Sequence, residues 1–170
     1  MSHHEFTLVL ARTPSDDELD TLFEAGLDDS TPEFGPRIVP VLHVHRHADS
    51  VASAIITAVE QAEAAGFVVV GVRTEDLVTL KTIAARTTRT YESVRRLANG
   101  DRGPGGFPTP MSGDGYALYS WTEVARWFAE HYGIPDTTSQ YDRIVAAADH
   151  LVRARRLLGG TAGELSALAS

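Results

Sequence analysis

Over the first 75 residues the apolar positions switch repeatedly between a period of two and the period of a helix, which leaves few folds open. Phe6-Thr7-Leu8-Val9-Leu10-Ala11 alternates, is bounded by Pro14 and reads as a strand. Ser15 then caps a helix whose apolar stripe is Leu19, Leu22, Phe23 and Leu27, with Gly26 and Asp28-Asp29 ending it. The turn-rich stretch Ser30 to Pro36 leads into a second extended run, Ile38 to Val44. Ser50 caps a long helix with Val51, Ile55, Ile56, Val59 and Ala62 on one face. Gly66 stops it, and Phe67 to Val72 is a nearly continuous apolar strand.

The order is strand, helix, two strands with the first short or irregular, helix, strand. This βαββαβ order is the signature of a ferredoxin-like sandwich, a sheet with two helices on one face. Pro40, lacking an N–H, demotes part of its run to an edge or a bulge. The expected class is therefore α+β. Residues 1–75 form the sandwich, 76–133 a second domain, 138–158 a C-terminal amphipathic helix, and 159–170 a flexible tail. The tail helix carries Tyr141, Ile144, Val145, Ala148, Leu151, Val152 and Leu158 at helical spacing, which suits a dimer seam or packing on its own domain.

The chain has 170 residues, no cysteine and a net charge of −8. Disulfides and thiolate metal sites are thereby excluded. No stretch approaches the roughly 20 apolar residues of a membrane span, and Met1-Ser2-His3-His4-Glu5 does not begin a signal peptide. A cytoplasmic protein is expected. The charge is unevenly spread: residues 1–75 carry 13 acids against 4 arginines, residues 76–110 carry 3 acids against 6 bases, and residues 111–170 carry 7 against 5. Positive charge is concentrated in the middle of the chain, and phosphate responds to local field more than to total charge.

That middle segment, Leu77 to Phe128, reads as a helix-turn-helix followed by a wing. Thr79 caps a first helix with Leu80, Ile83 and Ala84 inward. A second helix starts at Thr90, with Tyr91, Val94, Leu97 and Ala98 able to face inward and Glu92, Ser93, Arg95, Arg96 and Asn99 outward. Arg89 and Thr90 stand at its N-terminus, where free N–H groups favour a phosphate. Of Arg95 and Arg96, about 100° apart around the axis, one is expected at bases and the other at backbone. Glu92 suits a cytosine amino group or, equally, stabilises its own helix terminus. Gly100 to Pro110 lacks the Gly-Lys-Ser/Thr of a nucleotide-binding loop and reads as the wing, with Arg102 near its base or tip and Phe107 beneath. Tyr116 to Trp121 supplies a return strand. Trp121, Val124, Trp127 and Phe128 form the core of a closing helix.

The order of helix-turn-helix, Gly…Phe107-Pro-x-Pro110, then Trp121-x-x-Val124-x-x-Trp127 resembles the excisionase (AlpA-type) branch of the MerR-like winged helices, over residues 77–128. The Tyr91-Glu92-Ser93-Val94-Arg95 and Arg102-Gly-Pro-Gly-Gly-Phe107 runs also resemble small bacterial DNA-binding proteins with an N-terminal sandwich-like extension. His45-Arg46-His47 departs from the acidic junction expected in that group, and Thr88 stands where such turns often have glycine. The resemblance implies sequence-specific binding of double-stranded DNA, with the second helix in the major groove and the wing on the backbone. The residues expected to contact DNA are Lys81, Arg86, Arg89, Thr90, Tyr91, Glu92, Arg95, Arg96, Asn99 and Arg102.

One short recognition helix buries little surface, so a homodimer on two half-sites is expected, with the acidic N-terminal domain as dimerisation element or protein-partner surface. A nucleoid-associated transcriptional regulator fits this set. A recombination directionality or DNA-bending factor is the alternative within the class; outside it stands an interaction or ligand-sensing module with a vestigial helix-turn-helix. No enzyme activity or cofactor is expected. The acids Asp16-Asp17-Glu18 and Asp20 suit a solvated helix start. His43, His45 and His47 share a strand face about 7 Å apart in succession, with His47 expected in the following turn. With His3 or His4 nearby on the first strand a metal site can be drawn, against the reading of solvent-facing or capping histidines, and no metal is assigned to them.

Overall fold

The computed structural model describes residues 1–113, 115–158 and 162–169. It is a mixed α+β chain that divides into two compact units, Met1–Arg73 with Ile144–Ser170, and Thr74–Arg143. Among the described residues no helix is long and apolar enough to cross a membrane.

The first unit is built on an antiparallel four-stranded sheet in the order β2-β3-β1-β4, with β1 Ser2–Leu10, β2 Ser30–Gly35, β3 Ile38–Ala48 and β4 Val69–Val72. Helix α1 (Asp16–Leu22) runs into a π turn at Phe23–Leu27, and α2 is Val51–Ala64. Phe6, Leu8 and Leu10 are buried on one sheet face, with Val44 and Leu42 directly opposite the first two. Against that face α2 buries Val51, Ala54, Ile55, Ala58, Val59 and Ala62, an i, i+3, i+4 stripe rich in alanine that lets helix and sheet approach closely. Ile56, expected in that stripe, lies about 100° round from Ile55 and is exposed. Phe23 is likewise exposed, lying about 100° round from buried Leu22; Gly26 (φ +102°) interrupts the helix only beyond it.

Strand limits differ from expectation, while Pro40 falls at an irregularity of the kind expected of it. Ser30 to Gly35 is an edge strand rather than a turn; it pairs with β3 on one side only, where Pro32 is tolerated. Pro40 lies inside β3 beyond the last β1 pair, Val9–Val41, and beside the register shift at Glu33/Gly35. β3 continues to Ala48, so His47 sits in the strand opposite His3 and not in a turn.

Buried Arg46 points to the helix side of the sheet. Its Nε and Nη2 donate to the two Asp29 carboxylate oxygens at 2.7 and 2.9 Å, Nη2 to Gly26 O at 2.8 Å and Nη1 to Thr57 Oγ1 at 3.0 Å. The far edge of the sheet, β4, is met by α6 (Gln140–Leu158), whose residues from Ile144 onward belong to this unit and bury Val145, Ala146, Asp149 and Val152. Arg155 of α6 pairs with Glu63 of α2. Of the tail expected to be flexible, Ala162–Leu165 is a short helix, α7, followed by a 3-10 turn at Ser166–Ala169; residues 159–161 and 170 lie outside the described residues.

The second unit contains β5 (Leu77–Val78), α3 (Leu80–Arg86), α4 (Tyr91–Ala98), β6 (Tyr119–Ser120) and α5 (Trp121–Tyr132). β5 and β6 pair antiparallel, Leu77 opposite Ser120. The expected return strand, Tyr116 to Trp121, is thus reduced to two residues plus an isolated bridge, Ser112–Leu118. One apolar core joins Val78, Ile83, Ala84, Val94, Leu97, Tyr119, Val124, Trp127 and Phe128. Asp76 closes the unit. Its buried carboxylate accepts from Ser120 Oγ, Thr122 N and Thr122 Oγ1, all at 2.7 Å, and so supplies a partner to a first-turn N–H of α5 that has none within the helix.

Candidate nucleic-acid interface

Two short helices joined by a turn carry the residues singled out in the sequence. Each has a threonine cap: Thr79 Oγ1 accepts from Thr82 N, and Thr90 Oγ1 from Ser93 N, both at 3.2 Å. Such caps stabilise a helix by about 1 kcal/mol each, a large share for helices of 7 and 8 residues. At the end of α3 the N–H of Arg89 bonds Ala84 O at 2.9 Å and that of Thr88 bonds Ala85 O at 3.3 Å. This is a Schellman turn, which needs a left-handed residue, and Thr88 supplies it at φ +53°. The same turn ends α4, where Gly100 takes that position at φ +77°.

The turn points α4 so that Val94 and Leu97 enter the core while Tyr91, Glu92, Arg96 and Asn99 are exposed and Arg95 is half-buried. Tyr91, expected inward or at DNA, is 52% exposed: the core contacts of α4 are made by Val94, about one turn on, and Leu97, nearly two. Lys81 of α3 is exposed.

The basic residues are not equivalent. Arg89 stacks over the Tyr132 ring at 4.4 Å and lies 5.4 Å from that of Phe128, which ties the start of α4 to α5. Arg86 stacks over Trp121 at 4.9 Å, and its Nη2 is 3.9 Å from Glu75. Glu92 holds both arginines of α4. Arg95 donates through Nε and Nη2 at 2.9 Å each, and Arg96 through Nε at 2.9 Å. The hydrogen bonds from Arg95, then from Arg96, lower the Glu92 carboxyl to about 2. The same bonding raises the Arg95 guanidinium above its ordinary value. Glu92 therefore orients two planar forks and neutralises part of their charge.

The glycine-rich loop after α4 is anchored from below. Phe107 meets Trp127, Tyr119 and Phe128 edge-on, with centroids 4.9, 5.8 and 6.2 Å away, and Trp127 Nε1 donates to Gly105 O at 3.0 Å. A Cβ on Gly103 (φ +87°) would stand 2.6 Å from Leu97 and 2.9 Å from the Tyr132 hydroxyl, so only glycine lets the loop cross there. Arg102 is exposed in this loop. Farther along, Met111 N bonds Leu118 O at 2.7 Å, and Tyr116 projects 80% exposed.

Tyr116, expected in the return strand, lies outside β6 and follows Gly115. The role of Asp76 has no local signal in the sequence, because the Ser120 and Thr122 that it binds are more than 40 residues away. A cavity of about 450 Å³ lies beside Arg86 and Trp121. Two carboxylates in its wall, Asp76 and Asp142, already accept hydrogen bonds from Thr122 and Ser139. Compared with known protein families, with curated proteins and with solved structures, the chain matches none.

Proposed function

We propose that this chain is a sequence-specific double-stranded DNA-binding protein, a transcriptional regulator of the MerR-like, excisionase-type winged-helix kind. In this reading α4 lies in the major groove and the glycine-rich loop is the wing on the phosphate backbone. The observation that carries it is the α3–α4 pair, closed on its apolar side by α5, with Lys81, Arg95, Arg96 and Asn99 half-buried or exposed on its outer side. The net positive charge of residues 76–110 within an acidic chain supports it. So does Arg89, held by Tyr132 at the N-terminus of α4, where its charge adds to that of the free N–H groups.

The strand order β2-β3-β1-β4 with two intervening helices supports a ferredoxin-like reading of the first unit. In a dimer it serves as the dimerisation or partner-contact element. Two copies read two half-sites, since one eight-residue helix buries too little for specificity.

The test is fluorescence anisotropy with duplex fragments of the protein's own genome, including its own upstream region, over a series of salt concentrations. The wild type is compared with Arg95→Ala/Arg96→Ala; Arg89 is spared because it stacks on the core. Binding that falls steeply with salt and is lost in the variant supports groove reading, and preference for one fragment marks a specific regulator. Folded wild-type protein that binds no duplex at low salt overturns the proposal.

A further inference from the structure

We infer that His3, Glu5 and His45 form a divalent transition-metal site on the exposed face of the β1–β3 ribbon, suited to Zn²⁺, Co²⁺ or Ni²⁺. The strand register builds it. Glu5 is directly opposite His45, and His3 is opposite His47. His45 N donates to Asp29 O on the far side of β3, and Thr7 O accepts from Arg73 N on the far side of β1. The odd-numbered β1 residues therefore form the non-hydrogen-bonded pairs of this ladder, in which opposed Cα atoms are only about 4.5 Å apart and side chains stand closest.

The donor atoms follow from that register. His3 Nδ1 and His45 Nδ1 each lie 3.6 Å from Glu5 Oε1, and the donor atoms of all three residues fall within 4.8 Å of one another. Separations of 3.6 Å are too long for hydrogen bonds. A tetrahedral ion with bonds of about 2.0–2.1 Å holds its ligands about 3.3 Å apart, so the two His–Glu separations need close by only a few tenths of an ångström. The side chains of His3, Glu5 and His45 are 44, 65 and 49% exposed, which leaves their rotamers free to adjust and opens the site to ions from solvent.

The His3 and His45 rings are stacked at 6.1 Å, and the His47 ring is 5.2 Å from that of His3, so a third imidazole adjoins the site. His43 is committed elsewhere, its Nδ1 3.1 Å from Thr7 Oγ1 and its Nε2 2.7 Å from Glu33. Imidazole and carboxylate without thiolate select borderline ions over Mg²⁺ or Ca²⁺. Of the histidines that the sequence brings to notice, His43, His45 and His47 with His3 or His4 nearby, the set takes His3 and His45 and adds Glu5, and it involves the first unit alone.

The full-length protein, stripped with chelator, is titrated with ZnCl₂ by calorimetry and with CoCl₂ by visible absorption. One ion per chain is expected, with the d–d absorption of a low-symmetry cobalt site. Glu5→Gln and His45→Ala should each weaken binding at least about tenfold, His3→Ala/His45→Ala should abolish it, and His43→Ala should leave it unchanged. Far-UV circular dichroism confirms that these surface variants are folded; if the double variant is not, Glu5→Gln alone decides. Absence of zinc and cobalt binding by the folded wild type overturns the inference, as does undiminished binding by His3→Ala/His45→Ala or, where that does not fold, by Glu5→Gln.

Discussion

Asp149 Oδ1 accepts the backbone N–H of Val72 at 2.9 Å, a bond between residues 77 positions apart. The next N–H, of Arg73, bonds Thr7 O on β1, so Val72 N–H is the outward-facing donor of an edge strand. Such donors invite pairing with another chain, and here a carboxylate 2% exposed, itself paired with Arg153 at 2.8 Å, occupies the place. Gly71 allows the approach, since a Cβ there would stand 2.6 Å from Asp149 Oδ1. Asp149→Ala should lose about 2 kcal/mol in urea denaturation and speed hydrogen exchange at Val72. Wild-type stability and exchange in that variant would refute the role.

Thr88 is a β-branched residue in the left-handed turn that α4 closes with glycine. The left-handed conformation costs an L residue about 1–2 kcal/mol, and Thr88 is exposed, so its side chain loses little on removal. Thr88→Gly should stabilise the protein by about 1 kcal/mol, read as a higher thermal midpoint. A lower midpoint would show that the hydroxyethyl side chain contributes more than the strain.

Arg46 holds Asp29, Gly26 O and Thr57 together from a buried position. Arg46→Ala strands Asp29 and the Gly26 carbonyl and should cost about 3 kcal/mol. Arg46→Lys should recover less than half of that, because an ammonium cannot reproduce the planar fork. Full recovery in the denaturation midpoint would reduce the role to charge.

Trp127 and Gly103 fix the loop that follows α4. Trp127→Phe retains most of the ring packing but removes the bond to Gly105 O, with an expected loss of about 1 kcal/mol. Gly103→Ala meets both a positive φ and a clash with Leu97 and Tyr132, and should cost about 2 kcal/mol. Amide exchange across residues 101–107 should rise in both variants while that of α2 stays unchanged; equal rises in both places would indicate general loosening.

The Glu92 carboxyl, ordinarily titrating at 4.5, is drawn to about 2 by Arg95 and then Arg96. A depressed carboxylate stabilises the fold above its unfolded value, and that contribution is lost as pH falls through the folded value. The clamp on α4 is therefore complete above about 4.5 and released towards pH 2. Carbon-detected NMR of the Glu92 side chain should show a midpoint near 2, returning towards 4.5 in Arg95→Ala/Arg96→Ala. A wild-type midpoint at the ordinary value would mean that the clamp does not persist in solution. If α4 reads DNA as proposed, Glu92→Gln also raises duplex affinity at low salt, because both guanidinium charges are then uncompensated.

Helix starts were legible because a cap is a local bond: Ser15, Ser50, Thr79 and Thr90 each accept from an N–H three residues on. The buried stripes of α2 and α5 were legible in large part because side-chain direction follows the helical period. Strand limits were less so. Ser30 to Gly35 has turn composition and becomes a strand because β3 offers a free edge, and His47 stays in a strand because His3 is opposite. In the candidate interface, the exposure of Arg96 and Asn99 followed from helix phase, whereas the stacking of Arg89 on Tyr132 required a partner 43 positions away.

By itself, then, the sequence determined the α+β class, the helix caps and the central concentration of positive charge, all properties of residues near one another in the chain. Tertiary structure alone decided that Asp149 covers the β4 edge, that Asp76 closes α5, and that His3 and Glu5 meet His45 rather than His43. Those pairings depend on register and docking, which bring together residues that no local periodicity relates.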